Sequence, residues 1–282
     1  MKEQKILITG GTGKTGRRVI ERLQRSGFNN IRIGSRREVP AFDWDVPASW
    51  DEALNGVDSV YISFQPDLAI PTAPSTIRAF TTLASRHGVR KMVLLSGRGE
   101  LEAQKCEEIV RSSASEWTIV RASWFNQNFS EGFFLDPILA GHVALPKVES
   151  PEPFTDVDDI ADVAVQCLIS DKHNGKTYDL TGPELLTFEQ AVGQISKVTG
   201  SKIAFEALSM DDYEQMMRSY HVPEDQLWLI RYLFTEVLDG RNASITNDIE
   251  KVLGRKAKTF LQYASDAAKQ GAWNTAQIPA DK

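Results

Sequence analysis

The sequence predicts an α/β fold, a doubly wound parallel sheet followed by a smaller, mostly helical C-terminal domain. Three observations lead to this prediction. Short β-branched runs alternate with helical patterns through the first half of the chain, as in a parallel sheet wrapped by crossover helices. A glycine-rich turn separates the first run from the first helical pattern. After Pro183 the pattern becomes mainly helical, so a second kind of domain is expected there.

The first 125 residues contain at least five strand-helix steps. The predicted strands are 5–9, 30–34, 58–63, 91–96 and 117–121, and the predicted helices are 14–26, 50–55, 74–87 and 100–112. Val19, Ile20 and Leu23 share the inner face of the first helix, and glycines end the second and third helices. A further short strand is expected near 41–42, although Pro40 disfavours pairing there.

Beyond residue 128, prolines and glycines interrupt the chain before regular patterns return. The remaining predicted helices are 158–170, 187–199, 211–220, 223–239, 245–253 and 259–272, and the remaining predicted strands are 177–180 and 202–208. We therefore expect a dinucleotide-binding sheet domain at 1–150 and a mainly C-terminal substrate domain at 151–282. Residues 154–182 are expected to return to the sheet, and 275–282 to fray.

Composition argues against several classes of protein. The chain has 282 residues, of which 41% are hydrophobic and 25% charged. Such a chain can form a large core, and no apolar run approaches the ~20 residues of a membrane span. The first apolar stretch is too short for a secretory signal, so we expect a cytoplasmic protein. Two cysteines and four scattered histidines predict neither a disulfide framework nor a bound metal.

Charge is distributed unevenly along the chain. Residues 1–37 hold ten Lys or Arg against two Glu, a balance of +8, whereas the whole chain has a net charge of −6. The basic segment is expected either to attract the phosphate of a nucleotide or simply to solvate the outer face of a helix. Polymeric nucleic acid is not an expected partner, because the chain as a whole is acidic and carries no recognised nucleic-acid-binding motif.

The strongest local signal is the glycine-rich turn. Gly10, Gly13 and Gly16 match the pattern G-x-x-G-x-x-G, and Gly11, Gly13 and Gly16 match the pattern G-x-G-x-x-G. Both patterns lie directly after a predicted strand and at the start of a predicted helix. Backbone amides at such a helix start bind a pyrophosphate, so the turn predicts a Rossmann-type dinucleotide site. The alternative is that the glycines only shape a turn. A P-loop is excluded because position 8, where it needs glycine, is isoleucine.

The end of the second strand indicates which dinucleotide is bound. An NAD site carries Asp or Glu there for the ribose 2′-hydroxyl. This chain has Gly34, Ser35, Arg36 and Arg37 instead, and a guanidinium can bind a 2′-phosphate through two hydrogen bonds. The sequence therefore favours NADP(H) over NAD(H), with Ser35 and Arg36 as phosphate ligands. Arg37 is either a second ligand or a surface charge.

Further motifs resemble those of the NmrA-like group of atypical short-chain dehydrogenases/reductases. That group includes NADPH-dependent quinone and triphenylmethane reductases and redox sensors without evident turnover. The resembling segments are 9–16, 42–45, 53–60, 117–128, 154–161 and 178–184. Residues 13–15, 34–36 and 253–255 also resemble the ergot-alkaloid dehydrogenase branch, whose fungal members reduce iminium intermediates.

This resemblance implies roles for individual residues. The implied phosphate cradle is Gly10, Thr12, Gly13, Lys14, Thr15 and Gly16, and the implied adenine neighbours are Asp43, Trp44, Phe64 and Gln65. Ser96 is expected beside the nicotinamide and Lys105 on its ribose, and both are candidate catalytic residues. The superfamily places a proton-donating tyrosine four positions before that lysine, where this chain has Leu101. Ser96 is otherwise an ordinary strand end, and Lys105 a surface lysine.

The missing phenol affects which substrates are expected. Reduction of a ketone needs a proton at the developing alkoxide, whereas an iminium ion, a quinone methide or a cationic dye accepts hydride without one. Aromatic residues that follow the last strand of the first half, Trp124, Phe125 and Phe129, are expected to bind such a substrate. Aromatic residues further along, Trp228 and Tyr232 among them, belong either to the site or to the core.

The sequence thus supports two functional hypotheses. The first is an NADPH-dependent reductase of a small aromatic or unsaturated electrophile, acting as a monomer or homodimer. The second is an NADP(H)-binding redox sensor that acts through a protein partner without turnover. The fold alone does not distinguish them.

Overall fold

A parallel sheet forms the centre of the larger part of the molecule. The computed structural model describes residues 4–274. Within them the strands are β1 (Ile6–Thr9), β2 (Ile31–Gly34), β3 (Ser59–Ile62), β4 (Lys91–Gly97), β5 (Glu116–Ala122), β6 (His142–Pro146), β7 (Lys176–Leu180) and β8 (Ala204–Leu208). Six of these strands form the sheet, in the order β2-β1-β3-β4-β5-β7, and all their pairings are parallel. The predicted doubly wound α/β fold is confirmed.

Helices cover the sheet because the strands are apolar on both faces. The helices of this part are α1 (Lys14–Arg25), α2 (Trp50–Leu54), α3 (Ala73–Arg86) and α4 (Leu101–Ser113). Leu7, Val60 and Met92, one from each of three neighbouring strands, are fully buried in a core that also contains Ile77 of α3 and Ile109 of α4. Alternate strand residues point to the opposite face, where α1 lies.

The strand order fixes where a ligand is expected. From β1 the chain passes through α1 to β2 on one side, and then returns to β3 on the other side of β1. The connections that leave β1 and β3 therefore diverge at their carboxyl ends. In open α/β sheets, ligands bind in the crevice at such a topological switch point.

The helices of the rest of the chain are α5 (Asn128–Glu131), α6 (Leu135–Leu139), α7 (Val157–Ile169), α8 (Phe188–Thr199), α9 (Met210–Ser219), α10 (Glu224–Tyr232), α11 (Asp248–Leu253) and α12 (Phe260–Lys269). Capping boxes at Thr187 and Thr259 explain why α8 and α12 begin there. The predicted helix at 223–239 is α10 followed by a π-helical turn over Leu233–Val237. The short strand expected near 41–42 is not among the described elements, and β6 was not expected from the sequence.

The chain divides into two compact units that differ from a simple cut at residue 150. The first comprises residues 1–122, 157–180 and 247–256, and the second comprises 123–156, 181–246 and 257–282. Helix α7 and strand β7 thus belong to the sheet unit, as does α11. The expected fraying of 275–282 lies outside the described residues. No helix among residues 4–274 is long and apolar enough to cross a membrane.

Candidate functional site

The glycine-rich turn lies at the carboxyl end of β1, directly before α1. Gly10 adopts a left-handed conformation with φ = 61°, which favours glycine. The amide of Gly13 donates a hydrogen bond of 2.9 Å to the carbonyl of Gly10, which closes the turn. The hydroxyl of Thr9 donates to the Tyr61 carbonyl at 3.1 Å and accepts from the Ser63 amide at 2.9 Å. The ends of β1 and β3 are therefore held together beside the turn.

The glycines of this turn have different steric roles. A Cβ atom at Gly16 would lie 2.2 Å from the carbonyl oxygen of Gly10, and one at Gly11 would lie 2.6 Å from the side chain of Ile33. These two glycines allow the helix and strands to pack. A Cβ atom at Gly13 would meet only the Gly10 oxygen at 3.2 Å and the Gln65 amide nitrogen at 3.7 Å. The absent side chain of Gly13 thus leaves space at the start of α1.

The electrostatics of this space suit an anion. Gly13 is the N-cap of α1, with no capping side chain and no acidic residue in the first turn within the described structure. The amides at the start of α1 and the positive end of the helix dipole therefore face the space, and the first turn of the helix adds no carboxylate of its own. Thr12 is exposed, Lys14 is partly exposed and Thr15 is buried. The turn fits the pyrophosphate of a dinucleotide.

The residues after β2 provide a second polar group. The hydroxyl oxygen of Ser35 is buried and has no hydrogen-bond partner among residues 4–274, while Arg36 and Arg37 are exposed. The Ser35 carbonyl accepts the Phe42 amide at 2.9 Å, which fixes the backbone here. An unpartnered hydroxyl beside two guanidinium groups fits a phosphate better than a sugar hydroxyl.

The expected adenine neighbours have unequal exposure. Trp44 is 8% exposed and belongs to an aromatic core, with its ring centroid 5.0 Å from those of Phe42, Phe64 and Phe80. Its indole nitrogen donates to the Ser63 carbonyl at 3.1 Å, so Trp44 braces the end of β3. Asp43 and Phe64 are partly exposed, and Gln65 is exposed near Gly13. Contact of Asp43, Trp44, Phe64 and Gln65 with adenine stays a prediction.

Ser96 is bound in a buried polar network. Its hydroxyl donates a hydrogen bond of 2.8 Å to Glu107, which is fully buried. The same carboxylate accepts two hydrogen bonds of 2.6 Å from Arg121 and one of 3.0 Å from Arg111. This network ties β4, β5 and α4 together. It gives Ser96 a positioning role, whereas its expected contact with the nicotinamide stays a prediction.

Lys105 lies on the outer face of α4. The buried face of this helix contains Ala103, Cys106 and Glu107, whereas the Lys105 side chain is 62% exposed and its ammonium pairs with Glu102 at 2.7 Å. It lines a shallow surface groove of about 280 Å³. The structure therefore does not bring Lys105 to Ser96, because its helical phase turns it outwards. This exposed position does not support the expected catalytic role of Lys105, which stays a prediction.

Sequence analysis missed a pair of neighbouring carboxyl groups at the carboxyl edge of the sheet. Glu100 precedes α4 and is 9% exposed, and its electrostatic neighbour Asp67, which follows β3, is partly exposed. Burial and the Asp67 carboxylate raise the pKa of Glu100 well above its usual value. A glutamate just before a helix is normally charged and exposed to solvent, so no sequence pattern predicted that Glu100 is buried.

The aromatic residues expected to bind substrate lie in the second unit. Trp124 and Phe125 are partly exposed, but Phe129 is fully buried and packs edge-on against Phe260 at 5.2 Å. Phe129 is therefore a core residue in this structure, and its expected substrate contact, which burial does not support, stays a prediction. Trp228, by contrast, is 43% exposed, and its ring stacks on Tyr232.

Comparison with known proteins identifies the family. The family model for NAD(P)H-binding proteins matches residues 10–171, and the model for the NmrA-like family matches residues 102–265. Each covers more than half of the chain. The chain belongs to the NmrA-like family. The expected nicotinamide dinucleotide is confirmed at the level of NAD(P)H, and the family resemblance seen in the sequence is confirmed.

Several known proteins are similar to this chain along nearly its whole length. A (4-alkanoyl-5-oxo-2,5-dihydrofuran-3-yl)methyl phosphate reductase from Streptomyces griseus is 30% identical, over 94% of this chain and 98% of that protein. Agroclavine dehydrogenase from Claviceps fusiformis is 28% identical, over 93% and 96%. The structure of Citrobacter sp. triphenylmethane reductase complexed with NADP(H) has a TM-score of 0.72 at 17% identity, over 94% and 99%, which shows the shared fold.

Proposed function

We propose that this protein is an NADPH-dependent reductase that delivers hydride to a small aromatic or unsaturated electrophile, such as an iminium ion, a quinone or a cationic dye. The observation that carries the proposal is the space left by Gly13 at the acid-free start of α1. When bound there, NADPH supplies the hydride, and the protein supplies binding and orientation.

In this proposal, the residues of the glycine-rich turn and those at the end of β2 bind different parts of the cofactor. Amides near Gly13, Lys14 and Thr15 hold the pyrophosphate. The Ser35 hydroxyl, which lacks a partner in the described structure, and the exposed Arg36 guanidinium hold the 2′-phosphate. NADH has no 2′-phosphate, so with NADH the Ser35 hydroxyl and the Arg36 guanidinium would have no ligand. These two groups therefore support a preference for NADPH.

The substrate class rests on chemistry and on the relatives. Leu101, at the first position of α4, supplies no proton where the superfamily has a phenol. The related agroclavine dehydrogenase and triphenylmethane reductase are named for substrates with ring systems, and the partly exposed Trp124 and Phe125 support an aromatic one. We propose a cytoplasmic enzyme that acts as a monomer or homodimer.

The alternative is a redox sensor that binds NADP(H) and signals to a protein partner. Three observations favour it: Leu101 replaces the phenol, Lys105 points outwards, and the Ser96 hydroxyl is bound to Glu107. Turnover distinguishes the two hypotheses. NADPH oxidation should be followed by its absorbance with quinones, cyclic iminium ions and triarylmethane dyes. Oxidation with at least one class supports the reductase, and tight NADPH binding without oxidation supports the sensor.

A further inference from the structure

The carboxyl pair of Glu100 and Asp67 lies at the edge of the sheet where the glycine-rich turn also lies. Asp67 follows β3 and Glu100 follows β4, and the two strands are neighbours. Parallel strands present their carboxyl ends at one edge, and this is the edge at which open α/β sheets bind ligands. The pair therefore lies in the same unit as the proposed cofactor site and at the same edge of its sheet.

The two carboxyl groups are held so that one of their oxygens lacks a partner. Glu100 is nine-tenths buried beside the Asp67 carboxylate, and its Oε2 atom has no hydrogen-bond partner in the described part of the chain. An unsatisfied buried polar atom costs about 1–3 kcal/mol unless a ligand or water completes it. The amide of Ala69 donates to Asp67 at 2.9 Å, which fixes this second carboxyl group.

Gly97 makes the position of Glu100 possible. A Cβ atom at Gly97 would lie 2.1 Å from the carboxyl carbon and both carboxyl oxygens of Glu100. The Glu100 carboxyl group therefore occupies the space where any other residue at the end of β4 would place its side chain. Such close packing orients the group over the strand end, as a reacting group requires.

The surroundings of Glu100 keep it neutral. Burial raises its pKa most, and the negative charges of Asp67 and of Glu107 raise it further. Burial also raises the pKa of Asp67. Of the pair, Glu100 is the member whose protonated form is favoured more strongly, because the negative charges of Asp67 and Glu107 add to the effect of its burial. A neutral carboxylic acid at pH 7 is suited to general acid catalysis.

We propose that Glu100 is the proton donor of the reductase and performs the task that the missing tyrosine performs elsewhere in the superfamily. This inference rests on the proposed function. With a substrate such as a quinone, which would accept hydride from bound NADPH, the Glu100 carboxyl group would give its proton to the oxygen that receives the electron pair. With a quinone the product is the hydroquinone, and Glu100 is left as a carboxylate beside Asp67. Repulsion between the two charges then favours reprotonation from water.

Other residues near this edge are less suited to the task. Tyr61 has a phenol, but it is fully buried in β3, and burial raises its pKa. The Ser96 hydroxyl donates to Glu107, and Leu101 has no acidic group. Glu102, two residues after Glu100, is bound to the Lys105 ammonium on the helix surface, which makes it a matched control.

The test compares two substrates that differ in their need for a proton. Wild type, Glu100→Gln and Glu102→Gln are assayed with NADPH and either 1,4-naphthoquinone, which needs a proton, or malachite green, whose cation needs only hydride. We expect Glu100→Gln to lower kcat/KM for the quinone by about 10²–10⁴-fold. Turnover of the dye and the Kd of NADPH should be unchanged, and Glu102→Gln should behave as wild type.

Each contrary result has a distinct meaning. Equal losses for both substrates in Glu100→Gln would overturn the proton-donor role, because they would show a structural effect. If wild type binds NADPH but oxidises it with neither substrate nor with any other acceptor, the reductase proposal fails, and this one with it.

A second variant keeps the test valid should Glu100→Gln fold poorly. Asp67→Asn removes a negative charge that raises the pKa of Glu100. Quinone reduction requires the protonated acid and is lost as pH rises through its pKa. The alkaline limb of the profile should therefore move to lower pH in Asp67→Asn, while dye reduction keeps its profile. An unmoved limb would overturn the proposal.

Discussion

The substitution Gly13→Ala should abolish cofactor binding while leaving the fold intact. The new methyl group would lie 3.2 Å from the Gly10 carbonyl oxygen, a contact that small shifts relieve, and the backbone of Gly13 (φ = −78°, ψ = 179°) is accessible to alanine. Loss of glycine at an N-cap costs about 1 kcal/mol, which corresponds to a fall in Tm of roughly 2–4 °C.

The effect of Gly13→Ala on binding is much larger. The methyl group would fill the space in which the pyrophosphate is proposed to approach the amides of α1. Loss of two hydrogen bonds to a charged group costs about 3–6 kcal/mol, and so raises the Kd of NADPH by roughly 10²–10⁴-fold. Isothermal titration calorimetry measures the Kd, and thermal unfolding measures the Tm.

The chain offers a matched control for Gly13→Ala. Gly193 lies within α8, where a Cβ atom would meet nothing within 4 Å. Gly193→Ala should leave the Kd unchanged and stabilise the helix by about 0.5–1 kcal/mol. Binding of NADPH by Gly13→Ala with native affinity would refute the proposed position of the pyrophosphate.

Three further predictions follow from the sheet unit. Glu107→Gln should lower the free energy of unfolding by about 3–5 kcal/mol in a denaturant titration, since it leaves Arg121 without its buried carboxylate; a loss below about 1 kcal/mol would contradict the network. The pKa of Glu100 is raised in the folded state, so protonation of Glu100 stabilises the fold at low pH, and this stabilisation is lost as the pH rises through the raised pKa. The Tm should therefore fall more steeply with rising pH in wild type than in Glu100→Gln. Parallel curves of Tm against pH would refute the raised pKa of Glu100. Lys105→Ala, which removes only a surface pair with Glu102, should leave NADPH affinity unchanged, and a tenfold rise in Kd would restore the original assignment.

Sequence patterns predict the sheet well because the relevant signals are local. Strands β1, β3 and β4 are short, mainly apolar runs that are buried on both faces, which makes them easy to recognise in the sequence. The glycine-rich turn combines a strand end, three spaced glycines and a helix start, so it also is visible in the sequence. Strand β6 was missed because its partner within residues 4–274 is β8, about 60 residues away.

The candidate site was less predictable where the role of a residue depends on the direction or the burial of its side chain. Lys105 was placed by its spacing from position 101, but its position on α4 turns it outwards, opposite Cys106 and Val110. Phe129 was expected at a site and is a core residue, because apolar side chains at helical spacing pack equally well in either place. The burial of Glu100 depends on Gly97 at the end of β4 and on Asp67 after β3, which are 30 residues apart in the chain, and so it is visible only in three dimensions.

The central claim is that the turn after β1 binds a nicotinamide dinucleotide whose 2′-phosphate contacts Arg36. The most direct measurement is the calorimetric Kd of NADPH and of NADH for wild type and Arg36→Ala. The account predicts that wild type binds NADPH more tightly, and that Arg36→Ala weakens NADPH by about 10–100-fold while NADH is unaffected, since a hydrogen bond to a charged group contributes about 1.5–3 kcal/mol. Absence of binding to either nucleotide by folded wild type, or equal weakening of both by Arg36→Ala, would contradict it.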